Sequence, residues 1–348
     1  MGRISDRHHC LDDGLAAVVN ATTSPIGLPL GIRRFVEFNG GEEPISTLQR
    51  VVGELIERYS AMATSHPSIS VELLCRILGV TLAGTPPNSP SRSGPSYTAG
   101  RPNLRASHTG VLRLEKSKAI VAIPDYVDRD TARLSVAHEL GHFLIHWRGT
   151  HLDEATMRLP STAAEEAMAE YAARLLLLPR ERWLADSKVG NFAEYVVRQS
   201  GSAGVTIHSA AVRLGDPDLE DVQVSGAIIW RLPKPFVEGK PLYEQISPHW
   251  FKCPGAFVPI GKSRARPRSL VADLASCKHD MYESRVESVN IGSFTGTHQV
   301  DGYAWGSLER GTRTVLTVFR PQQSELAPPS VMPDRTCTTQ GVLQFDFA

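Results

Sequence analysis

The sequence predicts an α+β protein: a helical core with a small β-sheet, then a helix-turn-helix-like helical segment, then a C-terminal β-rich domain. Three observations carry this. Apolar residues recur every three or four positions through Leu48, Val51, Val52, Leu55, Ile56 and Tyr59, and again through Val136, Leu140, Phe143, Leu144 and Trp147, the spacing that lays one apolar face along a helix. Between these runs, residues 109–114 and 118–123 read as strands, and the intervening Glu115-Lys116-Ser117 suits a hairpin. Beyond about Asp216, short strand-like runs at 225–230, 299–305 and 312–319 alternate with turn residues.

The elements fall in order along the chain. Residues 1–45 hold no sustained period and contain Gly40-Gly41-Glu42-Glu43-Pro44, so they read as a poorly ordered leader. A core unit follows over 46–185. Its second helix is expected over Val71–Leu78, where Gly79 is placed to end it and Val80-Thr81-Leu82 would begin a short strand. Residues 84–103 are rich in Pro, Ser and Gly and read as a flexible surface loop. Asp128-Arg129-Asp130 precede a long helix, and acidic residues suit its first turn. Residues 186–216 are helical, with Gly201-Ser202-Ala203-Gly204-Val205 as the turn between two helices and Thr206 as the cap of the second. The β-rich domain is expected over 217–322, with a regulatory role as the natural guess, and a proline-bearing tail over 323–348.

Composition narrows the function classes. Lys plus Arg and Asp plus Glu are both 37 in 348 residues, so the formal charge is zero, which argues against a protein whose main task is coating nucleic acid. Hydrophobic residues at 41% and charged residues at 21% are ordinary globular values. No run of about 18 apolar residues exists and the first ten residues lack an apolar core, so a cytoplasmic location is expected. The five cysteines are scattered without a CxxC pair, which does not suit a disulfide framework or a second metal site around Cys253, Cys277 and His279.

The chemistry concentrates in Ala137-His138-Glu139-Leu140-Gly141-His142. His138 and His142 are four apart, so both rings leave one helical face, and two imidazoles at that spacing can hold one zinc ion at roughly 2.0 to 2.1 Å. Glu139 is one step round the helix, placed to take a proton from a water that such an ion activates. Gly141 removes a side chain near the metal and would help backbone approach. With 12 histidines in the chain, chance supplies roughly 0.02 to 0.03 such runs. The plain alternative is a helix with core histidines satisfied by hydrogen bonds. It leaves unexplained why an apolar helix carries two histidines and an acid, because uncompensated buried charge is costly.

A catalytic zinc site takes three protein ligands and leaves a position for water. His146 is nearest in sequence but lies two turns from His138 along one rod, so the third ligand is sought on another helix. Residues 163–178 supply one, with Ala163, Ala164, Ala167, Ala169, Ala172 and Ala173 permitting close packing against the first helix. Glu166 and Glu170 share a face there and Glu165 is adjacent, so all three acids remain open on spacing alone. His151 and Tyr171 are candidates for stabilising an oxyanion on sequence proximity only.

At these residues the chain resembles the ImmA/IrrE family of zinc metallo-endopeptidases, over roughly residues 46–185. The helix 137–142 is an intact match to the family's AHELGH run, and Glu166 through Ala169-Glu170-Tyr171-Ala172-Ala173-Arg174-Leu175-Leu176-Leu177-Leu178-Pro179 is similar to its second motif. Leu178 stands where Met is usual, and Glu170 where Asn or Asp is common. The resemblance implies one Zn2+ per chain held by His138, His142 and Glu166, with Glu139 as the general base. It also implies a protein substrate, a helix-turn-helix repressor, cleaved in stress response or mobile-element control. Direct DNA contact by residues 186–216 is not expected, since Arg198 and Arg213 are the few cations of their outward face, and the basic loop 262–268 reads as solvated. Two rival readings share the motif: a catalytically silent, metal-stabilised regulator that binds a repressor or DNA, and a zinc hydrolase acting on a non-peptide bond.

Overall fold

Several helix starts in this chain are written by side chains that satisfy the first free backbone amides. The computed structural model describes residues 28–41, 43–63, 68–84, 110–115, 118–124, 129–149, 151–157, 160–184, 190–222, 224–232, 237, 239–253, 258, 260–306 and 312–321. Residues 1–27 of the expected leader, the expected loop from 85 to 103 and the tail over 323–348 lie outside these residues.

The first helix, α1 (Leu30–Phe38), corrects the expectation of a poorly ordered leader for residues 28–41. Ile32, Phe35 and Val36 are buried on one face, and Arg34 reaches Asp153 at 3.0 Å. It carries no capping side chain and only two turns of apolar pattern, which is why the sequence hides it. Helix α2 (Pro44–Met62) begins at a proline, and the Glu43 carboxylate accepts from the amides of Ile45 and Ser46 at 3.0 and 2.6 Å. Helix α3 (Val71–Leu78) is capped by Ser70 and ends at Gly79, whose φ of 70° is the left-handed conformation that favours glycine. Strands β1 (Thr81–Gly84), β2 (Val111–Glu115) and β3 (Lys118–Ile123) form a mixed sheet in the order β1-β3-β2, with β1 parallel and β2 antiparallel to β3.

Helix α4 (Arg129–His146) runs through the middle of the molecule and is buried almost all round from Ser135 to His146. After a short turn of helix, α5 (Glu154–Met157), helix α6 (Ala163–Leu177) packs against it. A capping box fixes the start of α6: Thr162 Oγ1 accepts from the Glu165 amide, and Glu165 accepts in return from the Thr162 amide at 2.9 Å. The short α7 (Arg180–Leu184) leads to α8 (Phe192–Ala203) and α9 (Ile207–Arg213), the expected helical pair, and Thr206 caps the second of them.

The C-terminal sheet has five strands, β4 (Gly226–Arg231), β5 (Ser247–Lys252), β6 (Met281–Ile291), β7 (Phe294–Trp305) and β8 (Thr314–Pro321), in the order β5-β4-β8-β7-β6 with antiparallel neighbours. The α+β class and its order, helical core first and β-rich part after, are those the sequence predicts. The sequence reading lacked β5, β6 and the helix α10 (Leu270–Ser276). Pro248 obscures β5, yet it sits on an edge strand beside a register shift, where a missing amide costs least. Strand β6 places Glu283, Arg285 and Glu287 between Ser284, Val286 and Ser288, so its middle gives no apolar period.

Both faces of β4 and β8, in the middle of this sheet, are covered. Ala227, Ile229, Leu316 and Val318 join the core of the helical part, while Ile228, Trp230, Val300, Val315 and Phe319 pack with Leu270 and Leu274 of α10 in a second core. Asp301, fully buried on β7, accepts from the Phe192 amide at the start of α8, from Ser284 Oγ at 2.7 Å and from Arg320 at 2.8 Å. A carboxylate at a helix N-terminus is favoured by the free amides and the dipole there.

A buried ionic cluster ties the end of α6 to the end of α9. Arg174 grips Asp216 with two bonds of 2.8 Å. Arg213 contacts Asp216 and Asp218 and donates to the Leu178 carbonyl, and Tyr171 Oη donates to Asp218 at 2.8 Å. Arg213 is 0% exposed, which corrects its assignment to an outward face: the cation neutralises two acids inside the protein. Removing it strands those acids, so Arg213→Met is expected to cost about 3–5 kcal/mol by chemical denaturation. Burial alone would lift the Asp218 carboxyl, but hydrogen bonds from Arg213 and Tyr171 hold it below its usual range. A carboxyl depressed on folding stabilises above its unfolded pKa, and that stabilisation fades as pH falls through the folded value. Stability measured below about pH 4 should therefore drop more steeply in the native sequence than in Asp218→Asn.

Candidate metal centre

The distance between α4 and α6 is set where they cross. A Cβ on Gly141 would lie 2.6 Å from the Ala169 carbonyl oxygen and 2.8 Å from its Cα, so the two backbones meet with no side chain between them. One turn before Gly141 stands His138, and one turn before Ala169 stands Glu166, each on the side of its helix that faces the crossing. The alanines of α6 thus do what the sequence suggested, and Gly141 brings the two backbones together.

Three side chains converge there. His138 Nε2 and His142 Nε2 are 3.1 Å apart, with their rings nearly perpendicular. Glu166 lies 3.3 Å from His138 Nε2 through one carboxylate oxygen and 3.6 Å from His142 Nε2 through the other. All three ligand atoms fall within 4.8 Å of one another, and among the described residues this is the one such group of three or more histidine, cysteine or acidic side chains. A tetrahedral zinc with bonds of roughly 2.05 Å separates its ligands by roughly 3.3 Å, which is the spacing found. Two imidazoles and one carboxylate are a donor set that zinc accepts, and three ligands leave a position for water.

The electrostatics agree. Burial works against ionisation of Glu166, yet hydrogen bonds from both histidines hold its carboxyl far below the usual range. Burial also disfavours charge on His142, and Glu166 outweighs it, raising that imidazole above its ordinary value. The pocket therefore keeps a carboxylate negative beside two nitrogens, an arrangement suited to a cation.

Glu139 lies beside this group, buried on α4, and its Oε2 accepts from the Leu112 amide of β2 at 2.9 Å. Strand β2 is an edge of its sheet. A Cβ on Gly110 would lie 3.0 Å from Glu139 Cγ and 2.7 Å from Ile123 Cδ1, so glycine lets the start of the strand pass close to the acid. Sequence reading missed this contact because a backbone donor leaves no mark in residue identity. Gly110 was the one available sign.

The other candidates lie elsewhere. His146 Nδ1 is 3.0 Å from Thr156 Oγ1, and burial pulls its pKa down to about 4. Glu165 is spent on the cap of α6 and faces Gly31 of α1. Glu170 stands 3.8 Å from Arg174. Tyr171 bonds Asp218 and Gln49 in the ionic cluster, and His151 is exposed in the turn after α4.

Residues 97–211 match the family described as Peptidase_M78, the IrrE N-terminal-like domain. Over these residues the chain is similar to an IrrE-type domain. The match takes in β2, β3, α4, α6, α8 and α9 as far as Ala211. No curated protein matches the chain. Among solved structures, a Mycobacterium tuberculosis transcriptional regulator aligns with a TM-score of 0.45 and 15% identity, over 84% of this chain and 81% of that one. No helix of the described residues is long and apolar enough to cross a membrane.

Dialysis against zinc followed by metal analysis is expected to give one tightly held ion per chain in the native sequence and in Glu170→Ala, but none in His138→Ala or Glu166→Ala. Gly141→Ala should lower stability by about 1–3 kcal/mol, the usual cost of forcing extra volume into a packed site, and loosen zinc as the helices part.

Proposed function

We propose that this protein is a zinc-dependent endopeptidase that hydrolyses a peptide bond in a regulatory protein, a helix-turn-helix repressor, in stress response or mobile-element control. The observation that carries the reading is the meeting of His138, His142 and Glu166 at the α4–α6 crossing with Glu139 beside them. His138, His142 and Glu166 would hold the ion. When bound, zinc would act as a Lewis acid, polarising the scissile carbonyl and activating the attacking water.

The residues of the chain supply the rest. Glu139 is the general base: its carboxylate takes the proton of the attacking water and returns it to the leaving amine. The Leu112 amide holds that carboxylate through Oε2, which fixes the base beside the three converging side chains. The burial of α4 keeps competing solvent away from the base, which strengthens every charge interaction there. The choice of a repressor as substrate rests on the IrrE-type domain and on the family's resemblance to this chain.

Glu139→Gln separates metal binding from chemistry. It should retain zinc and fold, while cleavage of a co-expressed helix-turn-helix repressor falls by at least about 10²-fold. Full cleavage by Glu139→Gln would remove the general-base role. Zinc binding with no cleavage by the native sequence would favour the silent regulator.

A further inference from the structure

Strand β6 ends the five-stranded sheet, with β7 as its neighbour on one side. Among the described residues, Met281, Tyr282 and Val286 of this strand are exposed large hydrophobics, Tyr282 at 55% and Val286 at 52%. Its two faces differ. Glu283, Arg285, Glu287 and Val289 turn toward the α10 side, where Arg285 reaches Asp273 at 2.6 Å and Glu287 accepts from the Leu270 amide. Tyr282, Ser284, Val286, Ser288 and Asn290 are exposed on the other face, and Thr295, Thr297 and Gln299 of β7 continue that surface without a charge.

Among the described residues, no strand pairs with the outer edge of β6. Gly292 and Ser293 make the two-residue turn that closes the hairpin, with Ile291 opposite Phe294. In such a hairpin the closing pair exchanges hydrogen bonds and alternate residues follow it. Residues 289, 287, 285 and 283 therefore bond toward β7, and residues 290, 288, 286, 284 and 282 turn their amides and carbonyls outward. No proline interrupts the strand, and an edge of this kind is a template for another strand.

We propose that a second copy of this chain occupies that edge, the two β6 strands pairing antiparallel about a two-fold axis through Val286 so that the two sheets become one. The sequence of the strand is self-complementary in this register. Val286 meets Val286, Ser284 meets Ser288, Tyr282 meets Asn290, and Arg285 of each copy meets Glu287 of the other; the strand runs from Met281 to Ile291, so the axis falls at its centre. Shifting the register by two residues one way sets Arg285 against Arg285 and Glu283 against Glu287, and the other way sets Glu287 against Glu287. Like charges directly opposite destabilise an antiparallel pair, so charge selects the register centred on Val286. Glu287 has a further use for the cation: burial holds its carboxyl above the usual range despite the nearby Arg285 of its own chain.

Sedimentation of the full chain tests this. The expected mass is twice the 38.0 kDa of one chain, falling to the single-chain value in Val286→Lys, whose exposed side chain leaves the fold intact by circular dichroism. A monomer at tens of micromolar, or a dimer that survives Val286→Lys, overturns the proposal. Cysteine cross-linking fixes the register independently of the lysine variant. Under a mild oxidant, Val286→Cys should give a covalent dimer absent from the native sequence. Tyr282→Cys alone should give none, while Tyr282→Cys combined with Asn290→Cys should. Cross-linking of Tyr282→Cys to itself, or no cross-linking of Val286→Cys, would reject the register.

Discussion

The contact on which the structure depends is the bare crossing of two helices, Gly141 against Ala169. It brings a pair of histidines on one rod within reach of a carboxylate on the other, and no loop is asked to hold any of the three. Helices so close must be small-residue rich at the contact, and α6 meets that demand with alanines. The precision needed at a metal site is thus inherited from backbone packing, which is less forgiving than a side-chain rotamer and so better at fixing a geometry.

The same packing distributes roles among neighbouring acids. Glu165, Glu166 and Glu170 are alike in type and nearly adjacent, yet one caps a helix, one faces the crossing and one meets an arginine. Their difference is angular: on a helix each step of one residue turns a side chain by about 100°, so adjacent positions address different neighbours. Spacing could place Glu166 and Glu170 on a common side, but only the partner elements decide which faces His138.

Much of the fold was readable because its elements carry local marks. The hairpin of β2 and β3, the long helix α4, the capped start of α9 and the glycine end of α3 all announce themselves by period or by cap. What escaped was settled by distant partners. Helix α1 is short and lacks a cap, Arg213 reads as a surface cation until Asp216 and Asp218 fold over it, and the amide of Leu112 has no residue-specific trace. The central part of the candidate site was legible since HExxH spacing is a helical fact. Its support was not, since it comes from backbone and from chain far away in sequence.

Helix α1 has a consequence of its own. Gly31 lies against both the Glu165 carboxylate and the His146 ring, so this segment roofs the start of α6 and the end of α4. A fragment trimmed to begin at Ile45, as the motif boundaries would invite, would leave the apolar face beneath Ile32 and Phe35 wet and its two helix ends uncovered. The packing that supports the candidate site therefore reaches back beyond the segment that bears its motifs.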